Sequence, residues 1–268
     1  MRHFDVGQAD ATLLQAPGAT VLIDAGHWQG DGLIDQLENA GVDDLDILIL
    51  THPHADHIGQ ADAVLERFDV GELWMSGWEH ETATFERVLD AALASDAALR
   101  EPRAGDSESL GDLVIDVIGP ASPLEDIHDN LAVRVEFGEF AAVYTGDAEA
   151  AHEAEMIERG HDLSADLLQL GHHGSSTSST QPFLTEVDPD VAIYMAGADN
   201  AYGHPHHEVV SRVADMGIPL HGTDVSGTIV VRTDGEGFDV LGDVQDVAAF
   251  VTSDVTSGDP GDASEGGL

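Results

Sequence analysis

Thr51-His52-Pro53-His54-Ala55-Asp56-His57 follows directly on the apolar run Asp46-Ile47-Leu48-Ile49-Leu50 and holds four potential metal ligands within six positions. A regular helix cannot aim His52 and His54 at one point, because residues two apart do not share a helix face. Pro53 also keeps His52 out of the helical region. The segment from His52 to Asp56 therefore reads as a loop between a buried strand and a helix that His57 opens. Such a loop can turn all four side chains toward one pocket. With 15 His and 33 Asp among 268 residues, His-x-His-x-Asp-His arises from composition roughly 0.006 times in a chain of this length. Chance and surface decoration are poor explanations.

Working outward, three further polar groups occupy the same kind of position. Asp24 closes Thr20-Val21-Leu22-Ile23, and Asp147 follows Ala141-Ala142-Val143-Tyr144-Thr145-Gly146. The pair His172 and His173 follows Asp166-Leu167-Leu168-Gln169-Leu170-Gly171. Each lies just past the C-terminal end of an apolar strand, where α/β sheets place their ligands. Imidazoles and carboxylates without thiolates suit zinc first, with manganese or iron as alternatives. His52, His54, Asp56, His57, Asp147, His172 and His173 are too many ligands for one tetrahedral ion and suit two. The chemistry of such a set is metal-assisted hydrolysis, in which cations lower the pKa of water and polarise a carbonyl or phosphoryl oxygen.

Composition bounds the alternatives. The 268 residues suffice for one large domain, and 42% hydrophobic content supports a packed core. Cysteine is absent, which excludes disulfides, iron–sulfur clusters, thiolate zinc sites and a cysteine nucleophile. Acidic residues number 52 against 9 basic ones, all arginine, for a formal net charge of −43. The acids are spread from Asp5 to Glu265 and lysine is missing throughout. That pattern resembles proteins of extreme halophiles, whose self-repulsion is screened in molar salt. No stretch approaches the roughly 18 apolar residues of a membrane span, and the N-terminus lacks an apolar signal region. The expected location is the cytoplasm, with export open if an upstream signal is missing.

Hydrophobic periodicity predicts strands near 2–6, 11–16, 19–24, 46–50, 71–75, 112–118, 131–137, 140–145, 166–170, 190–195, 219–221, 227–233 and 237–241. Helices are expected near 31–40, 57–67, 82–98, 148–159, 181–187 and 206–216. Antiparallel runs mixed with strand–helix alternation point to an α/β arrangement of layered sheets covered by helices. One domain is expected over residues 1–245. The acidic, Gly/Ser-rich stretch 246–268 reads as a tail, disordered from Ser253.

These residues resemble the metallo-β-lactamase superfamily, and more narrowly the hydrolase domain of ComEC/Rec2-type competence proteins. The closer resemblance rests on Phe4-Asp5-Val6-Gly7-Gln8-Ala9-Asp10, Thr51 through Gly59, Tyr144-Thr145-Gly146-Asp147 and Gly171-His172-His173-Gly174-Ser175. Tyr202-Gly203-His204-Pro205-His206 and Ser226-Gly227-Thr228-Ile229 add to it. The resemblance implies an αββα sandwich of two mixed sheets with the site along one edge. It implies His52 and His54 on a first metal, Asp56 and His57 on a second, and Asp147 bridging both. One of His172 and His173 would complete the second site, and Asp24 would orient the loop from behind. The chain departs from the pattern at Ala9, where glycine is usual. It also lacks the histidine that many members supply before the bridging aspartate, where only His128 and Asp129 stand nearby. A single-metal site therefore stays open.

The implied activity is that of a metal-dependent hydrolase, a phosphodiesterase or nuclease, with Asp56, Asp147 and His204 in catalytic positions. Competence relatives are thought to degrade the non-transported DNA strand, so the implied substrate is a phosphodiester such as single-stranded DNA; no obligate protein partner is evident. Alternatives are a small-molecule ester, lactone or phosphocholine-type esterase, or a non-catalytic module braced by metal. His204 reads either as a donor to a substrate phosphate or leaving group, or as a structural turn. Ser175 and the serines after it read either as phosphate contacts or as a plain loop. His3, His27, His80, His152, His161, His206, His207 and His221 read as surface or turn residues. Trp28, Trp74 and Trp78 read as packing.

Overall fold

The run Ile47-Leu48-Ile49-Leu50 is buried on both faces, and that sets the layering. Side chains alternate along a strand, so Ile47 and Ile49 enter one core while Leu48 and Leu50 enter another. The computed structural model describes residues 1–30, 32–121, 124 and 126–242. The expected tail, residues 246–268, lies outside the described residues.

The chain lays down β1 (Arg2–His3), β2 (Thr12–Ala16), β3 (Ala19–Ile23), β4 (Asp44–Leu50), β5 (Asp69–Met75) and β6 (Ala98–Arg100). It continues with β7 (Ser107–Leu110), β8 (Leu113–Gly119), β9 (Ala132–Phe137), β10 (Phe140–Tyr144), β11 (Leu167–Gln169), β12 (Val191–Tyr194) and β13 (Leu220–Gly222). It returns to the first sheet with β14 (Ile229–Thr233) and β15 (Phe238–Leu241). One sheet has the order β15-β14-β1-β2-β3-β4-β5-β6, the other β13-β12-β11-β10-β9-β8-β7. Both are mixed: β3 to β6 run parallel, as do β10 to β13, and the remaining pairings are antiparallel.

Between the sheets, Val21, Ile23, Ile47, Ile49 and Trp74 meet Ile115, Val133, Val135, Tyr144 and Ile193. The outer face of the first sheet is covered by α1 (Leu33–Asn39), α2 (Ala61–Arg67) and α3 (Ala83–Ala94) through Leu37, Val64 and Val88. The outer face of the second is covered by α4 (Ala150–Arg159), α5 (Gln181–Val187) and α6 (His207–Asp215) through Met156, Leu184 and Val210. A single turn of helix, α7 (Thr223–Ser226), links the sheets. The result is an αββα sandwich.

Several local expectations change. His57 does not open a helix, because α2 begins at Ala61. The backbone of residues 57–60 is spent on the neighbouring loop instead: His57 accepts from Ala25 N–H at 2.6 Å, Gly59 donates to Gly26 O at 2.8 Å and Gln60 donates to Ala25 O at 3.1 Å. Helix α3 stops at Ala94, where the Ser95 hydroxyl donates to Ala92 O at 2.9 Å, and of the expected tail residues 95–97 are irregular while Ala98 opens β6. Strand β7 is polar and α7 is a single turn, so neither gave a periodic signal. His3 is not a surface residue. It is wholly buried because β1 sits between β14 and β2, and its ring stacks 6.0 Å from Tyr144. Burial pushes its pKa down to about 3. His221 in β13 is buried too, while Trp28 is half exposed.

Candidate metal centre

The strands β3, β4, β10 and β11 deliver their following residues to one edge of the sandwich. Asp24, just past β3, has a left-handed backbone with φ 58°. Its Oδ1 accepts from Thr51 N–H at 2.8 Å and its Oδ2 from the Thr51 hydroxyl at 2.8 Å. Oδ2 also lies 2.8 Å from His57 Nδ1. One carboxylate thus pins both ends of the 51–57 loop. At Gly146, φ is +53° and a Cβ would stand 2.8 Å from both Asn130 Oδ1 and Thr51 Oγ1, so a side chain there is excluded. The close approach lets Asn130 Oδ1 accept from Asp147 N–H at 3.2 Å and aims the Asp147 carboxylate into the cluster.

Two groups of side chains face the two oxygens of Asp147. On the Oδ2 side, His52 Nε2 stands 3.5 Å away and His172 Nε2 3.6 Å away. His54 Nδ1 lies 2.9 Å from His52 Nε2. On the Oδ1 side, His57 Nε2 stands 3.2 Å away and His173 Nε2 4.0 Å away. Asp56 Oδ2 lies 3.3 Å from His173 Nε2. Donors on a tetrahedral ion with bonds of about 2.1 Å are roughly 3.4 Å apart, so both spacings suit a cation. The donor chemistry agrees. His57 Nε2 and Asp147 Oδ1 are buried, close together, and have no hydrogen-bond partner among the described residues. Buried polar atoms in that state ask for a ligand.

Sequence reasoning left open which tandem histidine belongs to the cluster. Both do, on opposite sides. His172 and His173 adopt consecutive left-handed conformations with φ 52° and 56°. The turn sends one ring to each oxygen of Asp147. His128 also approaches the Oδ2 group, its ring 5.7 Å from His54 and 6.0 Å from His172. Asp129 faces elsewhere: Oδ2 accepts from Asp126 N–H at 2.9 Å and Oδ1 lies 3.7 Å from His152. Ser175 is buried in the turn, its hydroxyl 3.1 Å from Thr177 Oγ1, which in turn lies 3.2 Å from His172 Nδ1.

The structure adds Asp10 to the cluster. Its Oδ1 lies 3.0 Å from His173 Nδ1, and its Oδ2 accepts from Gln169 Nε2 at 2.7 Å. It precedes β2, which runs antiparallel to β3, so the start of β2 shares an edge with the end of β3. Looking only past strand C-termini misses it. The signal in the sequence was its place at the end of the stretch Phe4-Asp5-Val6-Gly7-Gln8-Ala9-Asp10, just before β2.

Charge in the cluster is divided. Burial disfavours the charged forms of His57 and His173, yet Asp147 with Asp24, and Asp10 with Asp147, outweigh it and raise both pKa values well above the ordinary range. Burial lowers His52 and His172, and lowers His54 to about 4. Burial opposes ionisation of Asp147, but His57, His52 and His173 hold its carboxyl well below the usual range.

A cleft of about 310 Å³ opens over the cluster, lined among others by Gln8, Asp56, Asp147, Tyr202 and His204. Gly197 N–H donates to Gln8 Oε1 at 3.1 Å, which fixes the amide so that Nε2 faces His204 Nδ1 at 3.2 Å. The amide donates, so His204 Nδ1 accepts and the ring proton sits on Nε2. Burial, then the neighbouring histidines, push the His204 pKa down to about 4. At neutral pH the ring is a neutral donor.

Residues 4–198 match the family described as the metallo-beta-lactamase superfamily. The chain belongs to that superfamily. The chain is similar to ComE operon protein 3 of Bacillus subtilis (strain 168), 33% identical over 94% of this chain and 35% of the relative. Competence protein ComA of Neisseria gonorrhoeae is 32% identical over 84% of this chain and 31% of the relative. The chain thus spans about a third of the length of these curated relatives. Among solved structures, the metallo hydrolase Igni18 of Ignicoccus hospitalis superposes with a TM-score of 0.59 over 90% of this chain and 97% of that one, at 15% identity. That likeness concerns the fold. Membership carries the coarse activity of a metal-dependent hydrolase fold that takes divalent cations. Among the described residues no helix is long and apolar enough to cross a membrane.

Proposed function

We propose that the protein is a phosphodiesterase acting on single-stranded nucleic acid through two divalent cations, zinc first, with manganese or iron as alternatives. The observation that carries this reading is the Asp147 carboxylate flanked on Oδ2 by His52 and His172 and on Oδ1 by His57 and His173. His52, His54, Asp147 and His172 would hold one cation; Asp56, His57, Asp147 and His173 the other. Cations there would lower the pKa of water and polarise a phosphoryl oxygen. Asp24 and Asp10 orient His57 and His173 from behind, as outer carboxylates do for ligating imidazoles. His204, neutral with its proton on Nε2, would donate to a phosphoryl or leaving-group oxygen lying in the cleft. The similarity to competence proteins favours a DNA strand over a small ester.

The test is cleavage of labelled single-stranded DNA in molar potassium chloride with zinc or manganese, alongside metal analysis. Asp147→Ala is expected to abolish cleavage and to lose at least one metal equivalent. Retention of both would overturn the shared-carboxylate role. Turnover of small esters without any cleavage of DNA would overturn the substrate.

A further inference from the structure

We propose that Tyr202 is a stacking platform for the nucleobase next to the scissile phosphodiester, so that the cleft selects nucleotide-derived diesters over simple ones. The inference rests on the phosphodiesterase reading above and adds to it the element that recognises the base.

Tyr202 is 68% exposed, although it belongs to the lining of the cleft over Asp56, Asp147 and His173. Large exposed side chains are commonplace; an exposed aromatic on a braced turn at a cleft mouth is less so. Its turn is braced from within by Asn200. Asn200 Oδ1 accepts from Tyr202 N–H at 3.1 Å and from His204 N–H at 3.0 Å. Asn200 Nδ2 donates to Gly197 O at 3.0 Å and to His204 O at 2.6 Å. One face of the phenol ring is backed by the His204 imidazole, 5.8 Å away and tilted by only 22°. That leaves a flat, pre-oriented surface open to a planar ligand. Pre-orientation lowers the ordering cost of binding.

Electrostatics points the same way. A strand-binding protein ordinarily draws on lysine and arginine at the phosphates and on release of counterions. This chain has no lysine, 9 arginines and a net charge of −43, and among the described residues none of its arginines lines the cleft. Affinity for a strand is then left to the bound cations, to neutral donors such as His204 and to contact with the bases. Stacking on an aromatic ring supplies base contact without sequence preference and does not depend on phosphate attraction.

The experiment compares two diesters with the same leaving group, thymidine 5′-(p-nitrophenyl phosphate) and methyl p-nitrophenyl phosphate, on the metal-loaded protein in molar potassium chloride. The thymidine ester is expected to have the lower KM. Tyr202→Ala should raise the ratio of the thymidine KM to the methyl KM by about tenfold to a hundredfold, with kcat for the thymidine ester much less affected. Tyr202→Phe should keep the wild-type ratio. Equal KM values in the wild type, or a ratio that Tyr202→Ala leaves in place, would overturn the platform while the phosphodiesterase reading stands. If neither diester is cleaved, cleavage of labelled single-stranded DNA decides the phosphodiesterase reading, and anisotropy binding of oligothymidylate against an abasic oligomer of equal length decides Tyr202 separately. Preference for the base-bearing strand, lost in Tyr202→Ala and kept in Tyr202→Phe, supports the platform; no preference overturns it.

Discussion

The two halves of the proposed metal centre share one carboxylate and differ in what stands behind their histidines. On the Oδ1 side each imidazole is backed by an acid: Asp24 lies 2.8 Å from His57 Nδ1, and Asp10 lies 3.0 Å from His173 Nδ1. On the Oδ2 side the backing groups are hydroxyls: Thr51 Oγ1 is 3.2 Å from His52 Nδ1, and Thr177 Oγ1 is 3.2 Å from His172 Nδ1. The proton affinities divide as well: Asp147 with Asp24 raises His57, Asp10 with Asp147 raises His173, and burial lowers His52 and His172. A carboxylate behind an imidazole stabilises its charged form and makes it a stronger ligand. A hydroxyl fixes the ring without adding charge. By that comparison the Oδ1 half is the one expected to hold its cation more tightly.

The largest expected break in that asymmetry is removal of a ligand from each half. His173→Ala should weaken the tighter metal equivalent by more than the roughly hundredfold ceiling of an outer-shell change, whereas His172→Ala should spare it and weaken the second equivalent. Stepwise metal titration by calorimetry in molar salt reads both. Equal losses at both steps in both variants would erase the distinction between halves. Next comes the backing group alone. Asp10→Asn keeps the shape behind His173 and removes the charge, and should cost about 10- to 100-fold in affinity for one cation. Thr177→Val, the matching change behind His172, should cost less than Asp10→Asn in the same titration.

The smallest effect is a pH dependence. In the metal-free protein His57 and His173 have raised pKa values. Their contribution to stability is therefore fully present below the unfolded value of about 6.5 and is lost as pH rises through the folded values. Cation binding needs both rings neutral and strengthens over the same range. The gap in Tm between metal-loaded and metal-free protein should widen above pH ~6.5. The buried Met1 amine, lowered to about 6, acts in both forms and cancels in the difference. A gap that stays constant or narrows with rising pH would show that the carboxylates around these imidazoles do not raise their proton affinity.

Much of the fold could be read locally. Alternation in Ile47-Leu48-Ile49-Leu50 required two apolar layers around one strand, and Pro53 required a loop where the ligands begin. The polar strand β7 and the one-turn α7 carried no periodicity to read. His57 looked like a helix start because nothing in its neighbourhood shows that its backbone is needed by Ala25 and Gly26. Asp129 looked equivalent to His128, yet adjacent residues of a tight loop face opposite ways, and only His128 approaches the cluster.

By itself the sequence determined the donor types of the candidate site, their place after apolar strands and the kind of chemistry that such donors permit. Those follow from side-chain chemistry and from periodicities of a few residues, which are local. Only the tertiary structure decided that His172 and His173 part to opposite sides of Asp147, that Asp10 backs His173 across 163 positions of chain, and that Tyr202 stands open above the cleft. Those depend on left-handed backbone at two consecutive residues, on the antiparallel entry of β2 and on a turn braced by Asn200. Each is a direction in space, and directions are settled when the two sheets pack.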